Sequence, residues 1–277
     1  LTLVRVASEP GSPGRENEDF AAASASVMVV IDGAGSPEGL ESGCRHSVAW
    51  YARNLCGLLL TSAADQNVTL ADALATSIER VNALHSGTCD LGHPGSPSAT
   101  VAVARVLGDD VEHLVLADAV LVLDRVDGRA EVVTDTRLAD VVAKLDEPGG
   151  LPPLGPDGRS AGLRRRVEEL AAHRNQPGGF WVASADPQAA EHALTGTTAV
   201  ADLAAVALLS DGASRLADRF HLLDWRALLQ VLHEDGPAEL IARTRAAERT
   251  DPHGSRWPRG KASDDASAVY RSFSKNL

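Results

Sequence analysis

Aromatic side chains are scarce in this chain, at 4% of 277 residues with a single Met, so the 44% apolar fraction is built mainly from small and branched aliphatics. No apolar run approaches the ~20 residues that cross a bilayer, and no membrane partner is expected. Basic residues are outnumbered, 26 Lys and Arg against 38 Asp and Glu, for a net charge of -12. That balance excludes a general nucleic-acid binder, whose footprint would be basic. Cysteine is limited to Cys44, Cys56 and Cys89, an odd number without CxxC spacing. These are read as neither a disulfide framework nor a zinc site, but as small buried side chains in a reducing cytoplasm. The opening LTLVRVASEPG lacks a basic-then-apolar signal architecture, and its start on Leu1 is read as trimmed.

What the chain does have is a recurring arrangement of aspartates. Short apolar runs stop at Asp32-Gly33 (VMVVIDG), at Asp118 (HLVLAD) and at Asp211-Gly212 (AVALLSDG). The pair Asp264-Asp265 opens the run ASAVY, and Glu18-Asp19 lies just upstream of the first run. Carboxylates at strand ends are held by a rigid sheet yet reach its rim, where segments distant in sequence can build an oxygen-ligand cation site.

Strand signals fall at 27–31, 99–106, 112–117, 119–125, 130–134, 180–184, 204–210 and 266–273. Helical periodicity runs through SGCRHSVAWYARNLCGLLLTSA, with Cys44, Val48, Tyr51, Leu55 and Leu59 on one stripe. It recurs in TLADALATSIERVNALHSG, which opens on Thr69 as N-cap. Further helices are expected at 161–174, with Arg164, Arg165 and Arg166 on a solvated face, at 186–195, and in DWRALLQVL and PAELIARTRAAERT. Residues 146–160 read as a Pro/Gly-rich loop, the weakest join in what is expected to be one domain over 1–277. This order is neither a strict βαβ alternation nor a repeat array; it suggests two packed sheets with helices outside both.

RENED, VVIDGAG, PSATVAV, LVLADAVLVLDR, VVTD, LLSDGAS and DDASAV, in that order over residues 15–271, resemble the protein phosphatase 2C family of metal-dependent phosphatases. The resemblance implies an α+β fold, a four-layer α-β-β-α sandwich of two mainly antiparallel sheets. It implies two Mn2+ or Mg2+ ions bridging a water, and a third, weaker ion. By motif, Asp32 would bridge both ions with the Gly33 carbonyl assisting, Asp211 and Asp264 would ligate one, and Glu18-Asp19 would act on the other. Asp118 matches the third site, Asp265 a supporting position, and Arg15 the phosphate clamp, which makes Asp32, Asp211 and Arg15 the catalytic candidates. Hard divalent cations take oxygen ligands, and a metal-activated water needs no protein nucleophile.

Three departures from the family pattern stand out. Ala34 occupies the place of a His, Ala117-Asp118-Ala119 replaces Gly-Asp-Ser, and Arg15 precedes Asp19 by four residues rather than five. His46 is weighed as a substitute acid, with a packed or surface His as the blander reading. The loop Arg256-Trp257-Pro258-Arg259-Gly260-Lys261 is weighed equally as an anion-binding segment and as a solvated loop. Asp135 is read as a turn residue. The expected activity is hydrolysis of phosphoserine, phosphothreonine or another phosphomonoester by a cytoplasmic monomer, whose partner is a phosphorylated protein or small-molecule phosphoester. The alternatives are a recruited small-molecule enzyme and a non-catalytic binding module.

Overall fold

The structure, a computed structural model, describes residues 3–36, 39–145 and 159–273. Ten strands form two five-stranded sheets, antiparallel throughout. The first sheet holds β1 (Leu3–Glu9), β10 (Ala266–Ser272), β9 (Leu203–Leu209), β6 (Val120–Arg125) and β7 (Ala130–Val133), in that order. The second holds β2 (Asp19–Ala23), β3 (Val27–Ala34), β4 (Ser98–Leu107), β5 (Asp110–Leu116) and β8 (Leu194–Ala199).

Alternation along the strands builds three packed layers. In β3, Met28 and Val30 enter the core between the sheets with Val206, Leu208 and Leu121. Val27, Val29 and Ile31 face the other way, onto α1 (Val48–Ser62) and α2 (Leu70–His85). All five are fully buried, and each such side chain contributes roughly 1.5–3 kcal/mol. On the far face, Ala205, Ala207 and Leu209 of β9 pack under α5 (Asp211–Asp218), α6 (Trp225–Glu234) and α7 (Pro237–Thr250). The molecule is therefore the α-β-β-α sandwich expected from the sequence.

Differences from the expected elements have physical causes. Residues 180–184 make only single bridges, Ala99 to Ala183 and Arg174 to Phe180, and Trp181 stacks on His192 with centroids 3.4 Å apart. The helix expected at 186–195 is a 3-10 turn, Pro187–His192, capped by Asp186 and followed by β8. Helix α1 starts at Val48 behind the N-cap Ser47, which leaves Cys44 and His46 in the preceding loop. Thr69 caps α2 as expected, accepting from Asp72 N at 3.0 Å. α3 (Arg137–Leu145) was not expected; it opens on an Asx turn in which Asp135 accepts from Arg137 N at 3.0 Å. α4 (Arg159–His173) covers the helix expected at 161–174, while most of the Pro/Gly-rich loop lies outside the described residues.

Candidate metal centre

Strand pairing alone brings the acidic stations to one rim. Asp19, the first residue of β2, is the direct cross-strand partner of Asp32 near the end of β3. Val120, at the start of β6, and Ala268 of β10 both pair with Leu209, two residues before Asp211. Asp264-Asp265 immediately precede β10, and Asp118 sits in the turn by which the chain crosses from β5 to β6. Asp32 continues the stripe of Met28 and Val30, so its carboxylate lies at the mouth of the gap between the sheets.

Both Asp-Gly pairs are explained by the approach of another station. A Cβ on Gly33 would come within 2.5 Å of the Glu18 carbonyl oxygen, and Gly33 N donates to that oxygen at 3.1 Å. A Cβ on Gly212 would come within 1.9 Å of the Asp265 carbonyl oxygen. Glycine thus lets separate acidic segments pack backbone to backbone. Asp265 fixes the arrangement, since Oδ1 accepts from Gly11 N at 2.7 Å and Oδ2 from Glu18 N at 2.8 Å. It is a supporting residue of the rim.

The carboxylates repel one another. Burial raises the Asp32 carboxyl well above its usual range, and the charges of Asp19, Asp211, Asp118 and Asp264 add to the effect. Burial likewise pushes Asp19 up to about 7, opposed by hydrogen bonds from Ser210 and Ser267. Burial, with Asp264 next, pushes Asp211 up to about 6, against Arg215 and Arg219. Asp118 is raised mainly by burial, with Arg219 opposing. Glu18 is raised by burial, with Lys261 and Arg15 opposing.

These residues fit a hard cation. Asp19 is 2% exposed and its Oδ2 has no hydrogen-bond partner; the hydroxyl of Thr100, opposite Asp32 on β4, is buried and unpartnered as well. An unsatisfied buried carboxylate oxygen beside a second carboxylate is costly unless a cation joins them. Asp264 differs from the others. Lys261 Nζ donates to its Oδ1 at 2.6 Å and Arg215 Nη2 to its Oδ2 at 2.8 Å, so protein cations already offset its charge.

Arg215 was not singled out in the sequence, and nothing in its neighbourhood there marks it. It is 2% exposed and also binds Glu248 at 2.7 Å, within a chain of ion pairs that continues to Arg245. Ser210 and Ser267 were missed for the same reason. Arg15 lies exposed in the loop before β2, close enough for its charge to lower the Glu18 carboxyl. His46 is turned toward Cys44, Cys89 and His85, so it does not serve as the substitute acid. Grooves of about 490 Å3 beside His113 and about 640 Å3 beside His233 contain none of the rim carboxylates.

The segment 256–261 is internally engaged. Trp257 is 8% exposed, and its Nε1 donates to the Phe220 carbonyl at 3.1 Å. Arg259 pairs with Asp251 at 3.0 Å, and Asp251 also accepts from the amides of Ser255, Arg256 and Trp257. Arg256 lies over the Trp257 ring at 4.3 Å, and Lys261 turns its charge to Asp264 at 2.6 Å. The segment is a built structural loop, which differs from both the anion-binding and the solvated-loop readings of the sequence.

Comparison with known proteins bears on the fold and on part of the sequence. The protein phosphatase 2C family model matches residues 13–145. No curated protein matches the chain. Among solved structures, the Mycobacterium tuberculosis serine/threonine phosphatase PstP/Ppp is similar at 17% identity and a TM-score of 0.59, with 99% of each chain covered. PppA of Pseudomonas aeruginosa is similar at 19% identity and 0.59, with 98% of each covered. Staphylococcus aureus Stp1 is similar at 13% identity and 0.59, with 99% of this chain and 96% of that one covered. The order of motifs and the matched model agree over residues 13–145, and the sandwich is shared with these phosphatases: that part of the chain matches the protein phosphatase 2C family model, and the whole has the fold of the solved phosphatases.

Proposed function

We propose that the protein is a metal-dependent phosphomonoester hydrolase acting on phosphoserine or phosphothreonine in proteins. The observation that carries this reading is the convergence of the acidic stations on one rim, with a buried Asp19 oxygen left unpartnered beside Asp32. Asp32 and Asp211, with Glu18-Asp19 and the Gly33 carbonyl, would hold two divalent ions. The PstP catalytic domain has been solved in complex with two manganese ions, which makes Mn2+ the first ion to test and Mg2+ the second. Ions bound there supply an activated water at neutral pH and neutralise charge on a phosphoryl oxygen.

The chain's own residues set the rest. Arg15 orients the phosphoryl group by paired donors. Lys261 faces Asp264, Glu18 and Asp32; their charge holds its pKa above the usual value against the effect of burial, so it stays cationic beside an anionic substrate. Ala34 offers no proton, so the leaving alkoxide takes one from solvent at the open rim. Asp264, already paired with Arg215 and Lys261, serves by the lone pairs those cations leave open. Asp118 is the candidate for a third, weaker ion. The whole of 1–277 acts as one catalytic domain, monomeric and cytoplasmic in this reading.

Hydrolysis of p-nitrophenyl phosphate and of a phosphothreonine peptide, with and without Mn2+, tests the proposal. Mn2+-dependent turnover is expected to fall roughly 100-fold or more in Asp32→Ala and in Asp211→Ala. Turnover that ignores both substitutions, or that needs no divalent ion, would refute it.

A further inference from the structure

A second cluster of metal-ligating side chains lies outside the acidic rim. Cys44, His46, His85 and Cys89 each present a ligand atom, and all of these atoms lie within 4.8 Å of one another. Cys44 Sγ stands 3.2 Å from Cys89 Sγ, 3.4 Å from His85 Nδ1 and 3.7 Å from His46 Nδ1. Cys89 Sγ stands 3.5 Å from His46 Nδ1. A tetrahedral zinc with Zn–S of ~2.3 Å and Zn–N of ~2.0 Å has ligand–ligand edges of ~3.3 to ~3.8 Å. The three sulfur–nitrogen separations fall near the S–N edge of ~3.5 Å, and the sulfur pair stands inside the S–S edge of ~3.8 Å. The two imidazole rings are close to perpendicular, at 83°, so that they can converge on one point from different directions.

The surroundings are those of thiolate ligands. The backbone amides of His46 and Arg45 donate to the sulfurs of Cys44 and Cys89, each at 3.4 Å. His85 is 3% exposed and its Nε2 has no partner, so the engagement of that ring is through Nδ1, toward Cys44. Local sequence produces the geometry. His85 is the last residue of α2, and Cys89 N donates to the His85 carbonyl at 3.0 Å, which continues the turn and sets the two side chains one turn apart. Cys44 and His46 lie one residue apart in the loop before α1.

The geometry points to a structural Zn2+ site formed by Cys44, His46, His85 and Cys89. With four protein ligands it is a closed site, without the open position that catalysis needs. It joins the loop that leaves Asp32 and Gly33 to the end of α2 and to the segment leading into β4. The same two stretches also meet through Asp90 N on the Gly43 carbonyl at 2.8 Å and Ser36 Oγ on the Gly95 carbonyl at 3.3 Å. The loop GSPEGLESGCRHS has little apolar surface to bury, and a metal supplies the cohesion a core would otherwise provide. The site does not rest on the phosphatase reading. It departs from the expectation of no zinc site; of the expected small buried cysteines, Cys56 in α1 is buried, whereas Cys44 and Cys89 are only half-buried.

The test is metal analysis of the full chain expressed with zinc supplied and dialysed free of Mn2+ and Mg2+. One zinc per chain is expected, retained in Asp32→Asn and Cys56→Ser and lost in Cys44→Ser and Cys89→Ser. Should the ligand variants fail to fold, titrating the wild-type thiols with a mercurial while an indicator reads zinc is expected to release one equivalent. Co2+ substitution is expected to give the visible bands of tetrahedral thiolate coordination. Zinc-free protein, zinc retained by the Cys44→Ser/Cys89→Ser double variant, or a Cys44–Cys89 disulfide in the mass spectrum would each overturn the assignment. Loss of zinc from Asp32→Asn would place the metal at the acidic rim instead and overturn it too.

Discussion

At the scale of single residues, the rim is held together by side chains that are small as much as by those that are charged. Ala117, before Asp118, adopts φ of 62°, a left-handed conformation that a Cβ disfavours by ~1–2 kcal/mol. Ala117→Gly is expected to raise stability by about 0.5–1 kcal/mol after glycine's own entropic cost, read by urea denaturation; an unchanged or lower midpoint would contradict it. Gly212→Ala should do the opposite, pushing the backbone at Asp265 away and costing activity along with ~2 kcal/mol or more of stability. The Asp-Gly pairs were legible in the sequence because each ends an apolar run. Arg215 was not, because its importance comes from a partner in α7 and another before β10, which no local pattern announces. The Cys-x-His and His-x3-Cys halves of the second cluster were visible as letters, but their convergence depends on how α1 and α2 pack.

At the scale of elements, legibility followed sheet position, except at the half-buried edge strand β7, which was read at 130–134. The interior strands β3, β4, β9, β5, β6 and β10 are buried on two faces and read as near-continuous apolar runs. The strands that escaped notice, β1, β2 and β8, are all edge strands whose side chains are largely exposed or half-buried, so no such run marks them. The loop 251–261 shows how an element without regular structure is made rigid. The Trp257 amide, followed by those of Arg256 and Ser255 and the Arg259 side chain, holds the Asp251 carboxyl down to about 2. The stability this contributes is complete above pH ~4 and is lost as pH falls toward 2. Asp251→Asn is expected to lower the melting temperature at neutral pH and to weaken the near-ultraviolet circular dichroism of Trp257. A variant with both signals intact would show that the loop is held by other means.

At the scale of the molecule, the acidic rim stores repulsion that the proposed cations would relieve. Without divalent ions, Asp19 and Asp211 keep protons up to about 7 and about 6, whereas the unfolded chain gives them up near pH ~4. The native state then binds more protons than the unfolded one across that window, so its stability falls as pH rises from ~4 to ~7. The melting temperature of Mn2+-free protein is expected to be lower at neutral pH than at pH ~5, and added Mn2+ to raise it most at the higher pH. Equal stabilisation by Mn2+ at both values would count against these carboxylates as its ligands.

The pairing of β1 with β10 has a consequence for how the rim comes into being. Leu3 lies opposite Ser272, and β10 is the strand between β1 and β9. The sheet that positions Asp211 therefore closes only when segments from far apart along the polypeptide meet, the slowest kind of contact for a chain to make. Four of the five strands of the second sheet, β2 to β5 with Asp19 and Asp32, are consecutive in sequence and can pair earlier. Half of the rim can thus form before the other half arrives, and under the proposed function acquisition of Mn2+ binding would report β10 docking. In a refolding experiment, acquisition of that binding should coincide with the last kinetic phase.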